Sequence, residues 1–120
     1  IYGFAENKEE ILKKREIILF EGAKSVMIAD GWGIKNTGAI LTSHLNPYQF
    51  KLLIRLGITV VFALDAEVDI RDDVNIKKLL PYVKVEWVRN RRNLLEDKDA
   101  PVDKGFEVFQ TLYEERGRLR

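Results

Sequence analysis

The sequence predicts an α/β fold with a mostly parallel sheet, because short apolar runs alternate with longer helical patterns along the chain. The run 17–20 is too short and too uniformly apolar for a surface helix, and the run 59–64 is rich in β-branched residues. Such runs are typical of parallel strands that are covered on both faces. Apolar residues with helical spacing lie between them, so we expect helices on both faces of the sheet.

The predicted elements follow one another from the beginning of the chain to its end. Helices are predicted at 6–15, 24–30, 47–56, 72–80 and 103–116, and strands at 17–20, 36–41, 59–64 and 83–88. The third helix has the clearest boundaries: Asn46 can cap it, Pro47 suits its first position, Gln49 its third, and Gly57 ends it. A charged loop, 89–101, precedes the last helix, and loops longer than about 12 residues are often functional.

Composition narrows the class of protein. The 120 residues are 46% hydrophobic and 32% charged, which fits one globular domain over 1–120. Cysteine is absent, which excludes disulfides and thiolate zinc sites. No apolar stretch approaches the roughly 18 residues of a membrane span, and no signal peptide is visible, so a cytoplasmic protein is expected. Since the chain begins at Ile1, we expect a fragment of a longer protein, with 1–16 as an entry segment and helix.

Acidic side chains follow two of the predicted strands. Glu21 and Gly22 come directly after the first strand, and Asp65 and Glu67 follow the third. Sites in open parallel sheets lie at the carboxyl ends of strands, where the strand order reverses. The order 2-1-3-4, which we infer from function, brings these acids into one crevice. Oxygen ligands of this kind suit Mg²⁺, which usually binds one or two carboxylates together with substrate phosphates.

The electrostatics of such a crevice favour a cation. Three converging carboxylates repel one another and raise the pKa of at least one of them, and a divalent ion relieves that repulsion. Gly22 has no Cβ, which allows a sharp bend or the close approach of a phosphate. The alternative interpretation is that acids follow strands only because loops are polar.

These motifs resemble the Toprim domain shared by bacterial and phage DNA primases, type IA and type II topoisomerases and some nucleases. The resemblance rests on segments 18–26 (ILFEGAKSV) and 61–67 (VFALDAE), and the order of elements agrees over essentially the whole chain. Within that family the chain is most similar to DnaG-type primases, particularly the shorter phage-like ones. That similarity comes from the segments IYGF at 1–4, AILTS with NPYQ at 39–49, and EDKDAPVDK at 96–104.

The resemblance implies roles for individual residues. Glu21 matches the family glutamate that acts near the metal, often as a general acid or base. Asp65 and Glu67 match the acidic pair that binds Mg²⁺ or Mn²⁺. The late loop contributes a further metal-proximal acid, either Asp97 or Asp99, and we prefer Asp99.

Two departures from the family pattern bear on activity. Position 67 is Glu where the family usually has Asp, and position 25 is Ser where many primases carry an acid. Asp69 is near enough in sequence to replace one of these groups.

Basic residues are candidates for phosphate contacts. Arg89, Arg91 and Arg92 follow the fourth strand on the same edge as the acids, where they suit the phosphates of template or nucleotide. Their alternative is a solvated run of charge. Lys24 lies one turn from Glu21 and either contacts a phosphate or offsets the acids.

Four other residues are interpreted as structural. His44 is the only histidine and reads as an ordinary polar turn residue. Trp32 and Trp87 are expected to pack, and Tyr48 is expected on the surface of the third helix.

The resemblance implies the metal-dependent catalytic core of a DNA primase, which synthesises short RNA primers on single-stranded DNA from nucleoside triphosphates. A replicative helicase is a candidate partner. The alternatives are a Toprim nuclease and a non-catalytic module that binds nucleic acid or protein. Because the zinc module and most of the basic template surface of primases are missing, we expect these 120 residues to fold but to prime poorly or not at all.

Overall fold

A five-stranded sheet forms the centre of the molecule, whose computed structural model describes residues 1–120. The strands are β1 (Glu16–Phe20), β2 (Thr37–Ala39), β3 (Thr59–Ala63), β4 (Val85–Trp87) and β5 (Gly117–Arg118). Their order is β2-β1-β3-β4-β5, in which the first four are parallel and β5 is antiparallel to β4. The predicted mostly parallel sheet and the order 2-1-3-4 are confirmed, and a fifth strand extends the sheet beyond β4.

Helices cover both faces of this sheet, as predicted. They are α1 (Phe4–Lys14), α2 (Ala23–Gly31), α3 (Pro47–Leu56), α4 (Val74–Lys77) and α5 (Phe106–Glu114), and a 3₁₀ turn covers Ile70–Asp72. No helix combines the length and the apolar composition that crossing a membrane would require.

Two buried clusters hold the helices against the sheet. Alternate residues of a strand point to opposite faces, so Ile17 and Leu19 of β1 join one cluster, and Ile18 and Phe20 join the other. The first cluster packs under α1, α3 and α4, and the second packs under α2 and α5. Both faces of β1 are therefore buried, which explains its continuous apolar run.

The start of α3 has the predicted capping box. The Asn46 side chain accepts a hydrogen bond from the Gln49 N–H at 2.9 Å, and the Asn46 N–H donates to Gln49 Oε1 at 3.0 Å. Gln49 Nε2 also donates to the Ile40 carbonyl at 2.9 Å, which ties the helix to the end of β2. Gly57 ends the helix in the left-handed conformation, with φ 62°.

The predicted helix at 72–80 is wrong in extent. The Asp73 side chain accepts hydrogen bonds from the Asn75 and Ile76 N–H groups at 2.9 and 3.1 Å, so a new helix begins at Val74. The preceding 3₁₀ turn is thereby separated from α4, which is only four residues long.

The boundaries near the end of the chain also differ from the prediction. Gly105 has φ 101° and delays the start of the last helix to Phe106. The chain then leaves the helix after Glu114 and forms β5, in which Gly117 lies opposite Trp87. The Leu119 N–H donates to the Val85 carbonyl at 2.9 Å and continues the pairing.

Candidate functional site

The carboxyl ends of β1 and β3 meet at the point where the strand order reverses. Phe20 is paired with Ala63 at the last position of both strands, so Glu21 and Asp65 follow adjacent strand ends. β2 lies on the far side of β1, and β4 lies on the far side of β3. The structure therefore brings these two predicted site residues to the switch point.

Two cavities open at this edge, and Asp65 lines both. The acidic cavity, about 330 Å³, lies on the β1 side and is lined by Glu21, Gly22, Lys24, Ser25, Leu41, Asp65, Lys98, Ala100 and Asp103. The mixed-charge cavity, about 480 Å³, lies on the β4 side. Its polar lining is Asp65, Glu67, Asp69, Arg71, Arg89, Asn90 and Arg91.

The carboxylates of the acidic cavity differ in their partners: Asp103 Oδ2 accepts from the Ala100 N–H at 2.9 Å, whereas Glu21 and Asp65 receive no side-chain hydrogen bond. Glu21 Oε1 is buried and has no hydrogen-bond partner. Burial raises the pKa of Asp65 to about 6, and the negative charges of Glu21 and Asp103 add to the effect, followed by those of Glu67 and Asp99. An unpaired buried carboxylate oxygen costs free energy, and either a proton or a cation relieves it.

Glu67 lies on the other side of Asp65 from Glu21. The Val68 N–H donates to the Asp65 carbonyl at 2.9 Å, which closes a tight turn over 65–68. That turn leaves Glu67 exposed in the mixed-charge cavity instead of the acidic one. The expected convergence of three acids in one crevice is therefore realised by Glu21 and Asp65, with Glu67 on its far side.

The donors fit a hard cation without forming a complete cage. No group of three or more His, Cys, Asp or Glu side chains lies close enough to hold a metal ion. Mg²⁺ does not require one, since it keeps several waters and is usually bound by one or two protein carboxylates. The unpartnered oxygen of Glu21 and the raised pKa of Asp65 are what such an ion would relieve.

The late loop is held directly against the segment that carries the second acidic motif. The Ala66 N–H donates to the Asp99 carbonyl, and the Glu67 N–H donates to the Asp97 carbonyl, both at 2.9 Å. Asp97 thus contributes a backbone group. The Asp99 carboxylate accepts from the Glu96 N–H at 2.8 Å and pairs with Lys104 at 3.5 Å, so it already has partners.

Sequence reasoning missed Asp103 as a site residue. Asp103 lines the acidic cavity and raises the pKa of Asp65 more than Asp99 does. It lies inside the segment 96–104 that carries the resemblance, so its residue type was visible. Its position depends on the turn at 101–104, which brings it back toward β1 and β3.

Three of the four predicted basic residues line the two cavities. Lys24 is exposed on the acidic cavity, where Lys98, which the sequence did not single out, also lies. Arg89 and Arg91 line the mixed-charge cavity. Arg92 forms an ion pair with Glu115 and lies outside both cavities.

Three other residues have local roles. Asp69 is held by Arg71 through bonds of 2.7 to 3.2 Å, which lower the pKa of Asp69 to about 2, so it does not replace an acid beside Asp65. His44 Nδ1 lies 3.3 Å from Asp73 Oδ2, away from both cavities. Tyr48 is 84% exposed on α3, as predicted.

The two tryptophans differ in their packing. Trp32 packs against Phe106 and Phe109, with ring centroids 5.5 and 6.1 Å apart. Trp87 packs against the first buried cluster and also faces the mixed-charge cavity, where Arg71 Cζ lies 5.6 Å from its ring centroid. Packing is therefore confirmed for both, and Trp87 has a second, cavity-facing side.

Comparison with known proteins identifies similar chains of greater length. No family model matches the sequence. YorJ of Bacillus subtilis strain 168, an SPbeta prophage-derived uncharacterised protein, is 30% identical in an alignment 133 residues long. The alignment covers 93% of this chain and 35% of YorJ. This chain therefore spans about a third of the length of that relative.

Solved structures of primases have the same fold. The Aquifex aeolicus primase, comprising zinc-binding and RNA polymerase domains, matches with a TM-score of 0.72 and 26% identity over 98% of this chain and 30% of its own. A DNA primase domain from Pseudomonas aeruginosa matches with a TM-score of 0.74 and 22% identity, over 98% of this chain and 38% of its own. A DnaG catalytic domain bound to single-stranded DNA matches with a TM-score of 0.72 and 23% identity, over 98% and 39%. This chain has the fold of the Toprim-containing catalytic core of DnaG primases.

Proposed function

We propose that this chain is the metal-dependent part of a DNA primase catalytic core, a single Toprim domain over 1–120 that works within a longer protein. The observation that carries the proposal is the meeting of Glu21 and Asp65 at adjacent strand ends, where one oxygen is buried without a partner and the other carboxyl group has a raised pKa. The likeness to primase cores over 98% of the chain supports the same reading.

Glu21 and Asp65 would hold Mg²⁺ or Mn²⁺ from the protein side, with Glu67 or Asp103 completing the set. A bound divalent ion would supply charge stabilisation at a phosphoryl group during nucleotidyl transfer. Lys24 and Lys98 border the same cavity and are placed to contact phosphate oxygens. As an alternative to binding the ion, Glu21, which is half-buried and has an unpartnered oxygen, would accept the proton of the attacking hydroxyl.

The substrates follow from this chemistry. A primase joins nucleoside triphosphates on a single-stranded template, so both a triphosphate and a nucleic-acid backbone need places near the acids. The mixed-charge cavity, which adjoins Asp65 and is lined by Arg89 and Arg91, has the size of a small-ligand pocket and offers guanidinium groups to phosphates.

The first test is a titration of the chain with Mn²⁺, followed by NMR. We expect paramagnetic broadening centred on Glu21, Asp65 and Glu67, and we expect Asp65→Asn to remove it. Asp69→Asn is the matched control, because Asp69 is also an acid of this edge but is already paired with Arg71. Broadening that survives in Asp65→Asn, or that disappears equally in Asp69→Asn, would contradict the assignment.

The second test concerns activity. Asp65→Asn introduced into a longer protein that contains this chain should abolish primer synthesis, and the 120 residues alone should prime poorly or not at all. Unchanged synthesis by the variant would refute the catalytic role of Asp65.

A non-catalytic module that binds nucleic acid is the second candidate. It is favoured by one observation, the absence of three converged metal-ligating side chains. This candidate would be selected if Mn²⁺ broadens the NMR signals of the chain and the longer protein binds template but synthesises no primer.

A further inference from the structure

A cavity lined almost entirely by arginine lies beside the mixed-charge cavity, at the edge of the sheet. It measures about 400 Å³, and its lining is Arg89, Arg91, Arg92, Glu115 and Arg116. No apolar side chain lines it, and four guanidinium groups face a single carboxylate. Arg89 and Arg91 line the mixed-charge cavity as well, so the two cavities adjoin at these side chains.

Two of these arginines are fixed by the protein. Arg116 Nε donates to Glu86 Oε1 at 3.0 Å, and its Cζ lies 4.1 Å from the centroid of the Tyr113 ring. Arg92 is paired with Glu115. These contacts hold positive charge at the cavity wall and neutralise part of it.

The other two retain free donors. Arg91 is exposed and makes no ion pair or side-chain hydrogen bond with the protein, while Arg89 Nε is buried without any partner. The only bond that holds Arg89 is a long one, 3.3 Å from Nη2 to the Glu115 carbonyl. A buried guanidinium N–H without an acceptor is costly. Nη1 of the same guanidinium also lacks a protein partner and is not buried, so an anionic oxygen in the cavity can bind Arg89 there.

Gly117 determines where Arg89 lies. A Cβ at position 117 would be 2.5 Å from Arg89 Cζ, 2.7 Å from Nε and 2.8 Å from Nη1, so the guanidinium rests directly on the backbone of β5. The φ of Gly117 is not in the left-handed region, so alanine at 117 would cause no strain in the backbone dihedral angles. Its only conflict would be between the added Cβ and the Arg89 guanidinium. The absence of a side chain at Gly117 thus serves the placement of Arg89.

We propose that the arginine cavity is a phosphate site for the backbone of a single-stranded nucleic acid, with Arg89 as the contact residue and Gly117 as the residue that positions it. The inference deepens the proposed function by naming the surface that holds the strand. A row of guanidinium groups that extends from the mixed-charge cavity to the sheet edge suits successive phosphates of a strand. The adjacent phosphates of one nucleotide would instead need a single focus of charge.

The test measures binding of a short fluorescent oligothymidylate to the 120-residue chain in EDTA, where the acidic cavity can hold no metal. We expect Arg89→Ala to weaken binding about tenfold and Gly117→Ala about fivefold, each lowering the salt dependence by about one phosphate contact. Gly31→Ala is the matched control, because a Cβ there meets no atom within 4 Å, and it should leave binding unchanged.

A double-mutant cycle separates positioning from general structural damage. If Gly117 acts through Arg89, adding Gly117→Ala to Arg89→Ala causes no further loss, whereas independent structural effects would add. Additive losses, unchanged binding by Gly117→Ala, or no binding by the wild-type chain would each overturn the proposal.

The remaining arms identify the source of the phosphate and separate this inference from the proposed function. ATP is added as a competitor at matched phosphate concentration. If ATP displaces the oligonucleotide from the wild-type chain but not from Arg89→Ala, the cavity is assigned to a nucleotide and the strand assignment is overturned. Asp65→Asn should bind the oligonucleotide in EDTA at least as tightly as wild type, because it removes a negative charge nearby. Absence of Mn²⁺ broadening in the wild-type chain, with oligonucleotide binding retained, would therefore count against the metal site and leave the strand site standing.

Discussion

A glutamate lies at each end of β1, and the two differ in whether the protein supplies hydrogen-bond partners for their side chains. Glu16, at the amino end, has its Oε2 bonded by the Tyr113 hydroxyl at 2.6 Å and by Asn36 Nδ2 at 3.2 Å. Glu21, just past the carboxyl end, has one oxygen buried with no partner.

The neighbouring acids repeat this difference. Glu86 of β4, which lies near Glu16 and Tyr113, is bound by Arg116 at 3.0 Å and by Lys84 at 3.7 Å. Asp65 of the carboxyl end is instead surrounded by other acids, and the pKa of Asp65 is raised to about 6. An acid with partners within the chain stabilises the fold, whereas acids that lack them depend on a group supplied from outside.

The largest expected effect concerns the amino end. Glu16→Ala should lower the free energy of unfolding by about 2 kcal/mol, because the hydroxyl of Tyr113 and the amide of Asn36 both lose a charged acceptor. Urea denaturation at pH 7 measures this.

Tyr113→Phe removes only one of the two bonds and should cost about half as much. Since burial and the bond to Glu16 raise the pKa of Tyr113 to about 12, the tyrosine stays protonated throughout the neutral range. A Glu16→Ala protein as stable as wild type would remove the distinction between the two ends.

The opposite sign is expected at the carboxyl end. Asp65→Asn should raise the free energy of unfolding at pH 7 by about 1 kcal/mol, a value reduced for the solvent that screens this partly exposed group. The folded-state pKa of about 6 lies above the ordinary 3.8, so ionised Asp65 destabilises the fold. Its cost is absent below pH 4, grows between pH 4 and pH 6, and is complete at pH 7. Unfolding of both proteins across this range should therefore show a gap that closes in acid.

Asp69→Asn provides the contrasting case for the pH series. Hydrogen bonds from Arg71 lower the pKa of Asp69 to about 2, so its stabilisation is present above pH 4 and is lost as the pH falls through 2. This variant should not gain stability at any pH. A gain as large as that of Asp65→Asn would show that removing any acid from this edge has the same effect.

The smallest expected effect concerns Leu41, which follows β2 at the same end. Leu41 has φ 67° and is 59% exposed beside Glu21 in the acidic cavity, so a leucine is held there in a conformation that favours glycine. Leu41→Gly should raise the free energy of unfolding by about 0.5 kcal/mol. This is the difference between the backbone strain that glycine relieves and the stability that is lost because glycine raises the entropy of the unfolded chain. Arg15, with φ 55° at the amino end, allows the matched variant Arg15→Gly. Both should gain stability in thermal unfolding, but only Leu41→Gly should alter Mn²⁺ broadening. A loss of stability in Leu41→Gly would mean that its side chain packs usefully.

Elements whose stability is encoded locally were predicted from the sequence. The uniform apolar run of β1 required burial on both faces, and Asn46 with Pro47 fixed the start of α3 through contacts within one turn. β5 was missed because Gly117 and Arg118 have no periodicity of their own, and their strand conformation comes from pairing with β4.

The candidate site divides in the same way. The positions of Glu21 and Asp65 follow from strand order, which we inferred from function because the alternation of elements does not specify it. The turn over 65–68 that separates Glu67 from Glu21 is held by backbone hydrogen bonds within the turn and to the late loop, and the place of Asp103 depends on where that loop closes. Neither is encoded in the residue types near these positions.

The pair of backbone hydrogen bonds that joins Ala66 to Asp99 and Glu67 to Asp97 connects the acidic motif directly to the late loop. The arginines of the same loop, 89–92, are the ones that face the proposed strand site. A nucleic acid bound to those arginines would therefore be coupled through the loop to the carboxylates of Asp65 and Glu67, which lie about 25 positions earlier in the chain. Amide exchange at Ala66 and Glu67 would slow when an oligonucleotide is held at the sheet edge, which would couple binding of a strand to the proposed metal site.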